Sequence, residues 1–213
     1  MYDIPHFKAS NHQQVIDFMQ ANPFVTLCGV DANGLPVATH IPVLIDVQND
    51  IVTISGHIMR KQDHANAFEI NNNVLVIFSA PSAYVSATWY TTKNMGSTWN
   101  YQTVHARGLL ELKDETHLRN LLTDLTLYFE KDLDAPTQVK NLSKEYMEQN
   151  MKAIYSFDIV VNDLQHVFKL SQNRDEASHT NIQKELNKGD AACKYMAAAM
   201  KAQSGPKDFH KDL

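Results

Sequence analysis

The eleven residues from Thr98 to Gly108, TWNYQTVHARG, crowd large aromatic rings, an amide, a histidine and an arginine into a stretch that otherwise reads as a β-strand. A strand that only fills a core places Val, Ile and Leu on its inward face. Trp99, Asn100, Tyr101, His105 and Arg107 instead offer flat rings beside hydrogen-bond donors and acceptors. That is the chemistry of a site for a planar ligand with polar edges. A second chemical stretch is Gly56-His57-Ile58-Met59-Arg60-Lys61. It follows a strand signal and is expected to open a helix, where free N–H groups and two side-chain cations together would hold a terminal phosphate. From spacing alone, a solvated basic pair on a helix explains Arg60 and Lys61 better than a phosphate site does. In Thr39-His40-Ile41-Pro42, His40 alternates outward on a strand, and Pro42, which cannot donate to a ladder, predicts an edge or a bulge. Tyr84 to Tyr90 is rich in aromatics of the kind found in cores and subunit interfaces. Lys169 to Arg174, KLSQNR, reads by composition as a polar turn after an apolar strand.

The elements that position these residues follow from patterning. Ser10 and Gln13 fit a capping box for a helix carrying Val15, Ile16 and Met19 and closed by Pro23. Strands are expected at 24–30, 37–45, 51–56, 74–78, 83–86 and 104–112, with a turn at Asp31-Ala32-Asn33-Gly34. Residues 60–68 read as helical. Asp114 caps a further helix with an apolar stripe of Leu118, Leu121, Leu122, Leu125 and Phe129. A helix at 144–151 precedes strands at 154–161 and 167–170. Beyond Asn173 the β signal ends, and the helical character of 190–201 owes more to alanine propensity than to a core stripe. Many short strands with helices set apart predict an α+β fold centred on a β-barrel. Residues 1–174 form the expected barrel domain and 175–213 a helical C-terminal extension.

The 213-residue chain is 44% hydrophobic and 20% charged, with a formal net charge of −5. That is the composition of a globular protein, and an acidic chain without a basic stripe is a poor match for nucleic acid. No apolar run reaches the roughly 20 residues of a membrane helix, and MYDIPHFKAS has no signal-peptide pattern. Cys28 and Cys193 have no metal or redox spacing, so reduced thiols and a cytoplasmic location are expected. His57, His64 and His105 lack zinc-site spacing, so no metal is expected. Neither GxSxG nor GxGxxG occurs, which disfavours a serine hydrolase and a Rossmann nucleotide site.

Seven blocks in order resemble the PaiB-type proteins, a family described as FMN-binding and as negative transcriptional regulators. They are MYDIPHF, NPFVTL, THIP, GHIMR, AYVSATWY, TWNY with VHARG, and KLSQNR. Thr39 stands where Asn is commoner, and Ala87 where Pro is usual. The resemblance implies a split β-barrel of the pyridoxamine-phosphate-oxidase-like class with peripheral helices, assembled as a homodimer with FMN sites between subunits. It assigns the FMN phosphate to Arg60 and Lys61 and sets Thr39 and His40 beside the flavin ring. It also draws His57, Trp99, Asn100, Tyr101, His105, Lys169, Ser171 and Gln172 into the cofactor-binding set. Three functions fit: an FMN-binding regulator acting indirectly rather than by direct DNA contact, a flavin-dependent oxidoreductase, or a haem-binding split barrel.

Overall fold

Burial with a period of two runs along the strands of this chain, each second side chain turned inward. The structure, a computed structural model, describes residues 1–203; the last ten residues of the expected extension lie outside it. The strands are β1 (Phe24–Val30), β2 (Pro36–Gln48), β3 (Ile51–Met59), β4 (Asn73–Ser79), β5 (Ala83–Val85), β6 (Thr98–Leu112) and β7 (Ile154–Lys169). They are ordered β4-β1-β2-β3-β7-β6-β5, and an additional β4–β6 pairing closes six of them into a barrel with β5 appended to β6. The α+β barrel with peripheral helices is the fold that the patterning predicts.

Two compact units divide the chain, with boundaries after Phe18, Phe78, Val104 and Leu164. The barrel unit comprises Met19–Phe78 and His105–Leu164. Its inward positions carry Leu27, Val43, Ile54, Val76, Phe157 and Ile159, each at most 1% exposed. Pro42 lies in a strand flanked on both sides rather than at a sheet edge, and the reason it is tolerated is a change of partner. β2 pairs with β1 from Pro36 to Pro42 and with β3 from Val43 to Gln48. The Val43 N–H donates to the Pro23 carbonyl on the β1 side. Strand alternation turns the Pro42 nitrogen towards β3, at the point where that ladder begins, so a missing donor costs little there.

Helix α2 (Asp63–Ile70) seats Phe68 beneath Gly29, where an added Cβ would strike the ring. Helix α3 (Glu115–Glu130) is capped by Asp114, whose side chain accepts from the His117 N–H. Its stripe buries Leu118, Leu121 and Leu125, but Phe129 is exposed. Helix α4 (Lys144–Met151) adds Met147 and Met151 to Leu118 in a satellite core.

The second unit comprises Met1–Phe18, Ser79–Val104 and the chain from Gln165 onward. Helix α1 (His12–Ala21) is capped one residue later than the sequence suggests. The Asn11 side chain accepts from the Gln14 N–H, and the Gln14 side chain accepts from the Ser10 N–H. Asn caps about as well as Ser, its short amide reaching the N–H groups of the first turn. Helix α5 (Glu176–Leu186) follows Asp175, which caps it and receives the Ser178 and Thr91 hydroxyls. Helix α6 (Ala191–Ala202) does carry a core stripe: Met196, Ala197 and Met200 are buried. Methionine fills irregular apolar gaps, which a search for Leu and Ile overlooks.

The two strands expected at 154–161 and 167–170 are one strand, β7, with its polar middle on the ladder. At Gly108, β6 lies close against that strand: a Cβ there would run into the Val160 carbonyl and the Ile159 side chain. Gly108→Ala is expected to destabilise the fold by about 1–3 kcal/mol through overpacking against backbone. Gly96→Ala, with no heavy atom within 4 Å of its added methyl group, is expected to be near neutral. Urea midpoints of the two variants check the contrast.

Candidate functional site

The candidate residues fall into two groups, one in each unit. In the barrel unit, β3 runs through Met59, and α2 begins only at Asp63. Arg60 and Lys61 therefore occupy the turn between them rather than the start of a helix, which corrects the expectation from composition. Strand pairing extends β3, since His57 faces Ser156, Ile58 faces Tyr155 and Met59 faces Ile154 on β7. Arg60 is exposed yet held. Its N–H bonds the Ala153 carbonyl, its Nε donates to the Ile154 carbonyl at 2.8 Å, and its guanidinium lies 4.1 Å from the centre of the Tyr155 ring. A guanidinium stacked on a ring and fixed through Nε presents its two terminal nitrogens as a planar fork. Lys61, also exposed, follows it.

His40 is exposed and Thr39 half-buried, on opposite faces of β2. His57 lines a cavity of about 290 Å³ with Pro42 and the α3 residues Leu122, Leu125 and Phe129. Its Nδ1 is buried and has no hydrogen-bond partner among the described residues, and burial holds the imidazole below its ordinary pKa of 6.5. Burial, with Arg107 adding to it, does the same for His105. Arg107 itself pairs with Asp163 at 2.8 Å.

One network in this unit escaped the sequence reading. Asp158 on β7 accepts from the Ser55 hydroxyl at 2.6 Å and from His117 Nε2 at 3.2 Å, with Lys113 Nζ at 3.6 Å. His117 Nδ1 lies 3.0 Å from the Ser156 hydroxyl. The connectivity is that of a serine–histidine–aspartate trio, but Ser156 is fully buried, so no substrate reaches its oxygen. The network clamps α3 to the barrel. Tyr155, Ser156 and Asp158 could have been found only by pairing β7 with β3, a register that no local motif encodes.

In the second unit, β6 separates the motif into two faces. Trp99 is 55% exposed and stacks edge-on against Tyr84, its cross-strand partner, at 5.9 Å between ring centres. Tyr101 is half-buried, and burial followed by Tyr2 raises its phenol. Asn100 points the other way and is fully buried. It accepts from the Ser171 hydroxyl at 3.0 Å and donates to the Met200 sulfur at 3.4 Å. Ser171 has a left-handed φ of 61° in the turn after β7. Gln172 closes that turn, accepting from the Leu170 N–H and donating to the Phe168 carbonyl. Asn100, Ser171 and Gln172 thus bond to their own protein, while Lys169 bonds the Thr98 hydroxyl. Burial, then Arg174, lowers the Lys169 pKa. Arg174 lies 4.4 Å from the centre of the Tyr90 ring.

His57 and His105 bear on stability, and the sign follows from their direction. Both titrate lower in the folded chain, so below about pH 6.5 the unfolded chain binds more protons and stability falls as pH falls. Stability contributed by their neutrality is complete above that range. Unfolding in urea from about pH 7.5 to 5 is expected to show declining midpoints, and His57→Gln to flatten the decline.

The family described as "Putative FMN-binding domain" matches residues 1–163. The chain is 36% identical over 201 residues to the "Protease synthase and sporulation protein PAI 2" of Bacillus subtilis (strain 168), covering 94% of this chain and 96% of that one. Two solved structures share its fold. The FAD and haem binding protein of Mycobacterium smegmatis aligns with a TM-score of 0.56 at 17% identity, over 76% of this chain and 72% of the other. The flavocytochrome Anf3 of Azotobacter vinelandii also gives 0.56, at 13% identity, over 79% and 72%.

Proposed function

This chain belongs to the FMN-binding domain family, and on that premise we propose that it is a cytoplasmic homodimer that uses FMN in a regulatory role of the PaiB type. The observation that carries the reading is the Arg60 fork, fixed by Ile154 and Tyr155 with Lys61 beside it. Such an arrangement suits a phosphate dianion: a planar bidentate donor and a second cation, neither of them ion-paired with a carboxylate among the described residues. The buried, unpartnered His57 Nδ1 and the exposed His40 supply polar groups on the same strand pair. Thr39 and His105 join this cofactor set from the barrel unit.

Within the second unit, Trp99 and Tyr101 offer ring surfaces and Lys169 a cation to the cofactor set that the family resemblance implies. Asn100, Ser171 and Gln172 act as their support, fixing the strand and turn that present them. Bound FMN would supply a redox-active ring; the residues named here bind it, orient it and limit its exposure to water. The exposed Trp99–Tyr84 pair is suited to a two-fold interface.

Regulation is proposed to act through a partner rather than by contact with DNA. The chain carries 24 acidic against 19 basic side chains, and duplex binding draws its affinity from neutralised phosphates. The relationship to the B. subtilis protein, whose name associates it with protease synthesis and sporulation, supports a regulatory over a metabolic role.

Arg60→Ala removes charge-assisted hydrogen bonds of ~1.5–3 kcal/mol each. FMN affinity is expected to fall at least tenfold, with riboflavin affinity almost unchanged; equal losses would move the phosphate elsewhere. Light scattering is expected to give twice the chain mass of 24.1 kDa, and a monomer would refute the dimer. Under anaerobic NADH or NADPH the bound flavin is expected to remain oxidised. Rapid bleaching with turnover on oxygen would favour a flavin oxidoreductase.

A further inference from the structure

A roomy cavity lies apart from Arg60 and His57. It has a volume of about 810 Å³ and opens between α3 and the strands β2 and β3, wholly within the barrel unit. That volume is in the range of small-molecule sites. Leu44, Leu121 and Leu127 give it apolar walls. Asp46 on β2 and Asp124 on α3 both line it, so a carboxylate comes from each side. No lysine or arginine is among its lining residues. Neither aspartate forms an ion pair among the described residues; Asp46 accepts only a hydrogen bond from the Gln48 amide. The rim is fixed where the Tyr128 hydroxyl donates to the Gln20 carbonyl at 2.9 Å. The inner end is fixed by His117 and Ser55, both bonded to Asp158.

From these features we infer that the cavity between α3 and the β2–β3 face is a binding site for a small organic cation, a protonated amine carried on a short apolar body. The apolar walls take the hydrocarbon, and the two carboxylates take the ammonium. FMN does not fit this description, since its phosphate would meet two carboxylates and no cation. The site is therefore separate from the cofactor grip at Arg60, and its occupant is a substrate, an effector or both. An amine bound against α3 would give the regulatory reading a small-molecule input, and the inference stands whether or not that reading does.

Three probes of equal length separate charge from hydrophobicity: hexylammonium, hexan-1-ol and hexanoate. Each is titrated by calorimetry into the full chain saturated with FMN. Hexylammonium is expected to bind at one site per chain, at least about tenfold more tightly than hexan-1-ol, a difference of about 1.4 kcal/mol. Hexanoate is expected to show no saturable binding. The D46N/D124N double variant is expected to bind hexylammonium no better than hexan-1-ol while keeping its FMN affinity. Rising salt is expected to weaken hexylammonium alone. Absence of saturable hexylammonium binding, equal binding of all three probes, or an unaltered double variant would each overturn the inference. Displacement of FMN by hexylammonium would assign the cavity to the cofactor and overturn it as well. Both aspartates are exposed, so the variant is expected to fold, and the three-probe comparison on the unaltered chain decides the matter without it.

Discussion

One carboxylate on the outer face of a barrel strand governs how this protein's largest helix meets its sheet. Asp158 is 21% exposed, too enclosed to be left to water and too charged to be left unpaired. Three donors converge on it: Ser55 from β3, Lys113 from the end of β6 and His117 from the first turn of α3. Asp158 can only accept, so His117 Nε2 must donate to it. A neutral His117 then has Nδ1 free to accept from the buried Ser156 hydroxyl. The Asp114 cap fixes the same turn of the helix from the other side. With that end anchored, α3 crosses β2 and β3 and leaves a carboxylate-lined cavity with the Tyr128–Gln20 bond at its rim. A smaller pocket is lined by His57 together with Pro42 and Leu125.

The cofactor grip rests on a related economy of partners. A guanidinium free to rotate would lose side-chain entropy on capturing a phosphate. Arg60 has already made that sacrifice in the folded chain, where one carbonyl and one ring hold it. Both partners come from the first two residues of β7, the strand that also carries Asp158. The anchoring of α3 and the orientation of Arg60 are therefore two results of a single ladder, β3 against β7.

Local rules were legible in the sequence wherever a single element sufficed. Alternation located most strands, the Asp114 side chain marks the start of α3, and the stripe of α3 points inward except at Phe129. Legibility ended where a second element decides. Arg60 and Lys61 look like a helix opening because basic residues after a strand often are one. What carries β3 up to them is pairing with a strand almost a hundred residues away. Asn100 sits among ligand-like neighbours in the sequence, but the period of the strand turns it inward, where Ser171 and Met200 take its amide. The methionines of α6 read as propensity because their value lies in the shape of the gap they fill. Pro42 reads as an edge because a change of partner along one strand leaves no mark in composition.

The β3–β7 ladder also dictates an order of events. Ser55 and Asp158 are 103 residues apart, and everything between them must be synthesised before the barrel closes. Loop-closure entropy makes so distant a pairing slow relative to the hairpins β1–β2 and β2–β3 and to the packing of α3 on α4. During translation, therefore, β3 waits with one hydrogen-bonding edge open, the condition under which nascent strands recruit the wrong neighbour. Its outward side chains, Thr53, Ser55 and His57, are polar and interrupt what would otherwise be an adhesive ribbon of Val52, Ile54 and Ile58. The hydroxyl that later bonds Asp158 thus serves first as a guard on the unfinished barrel, and the arrival of β7 converts that guard into a latch.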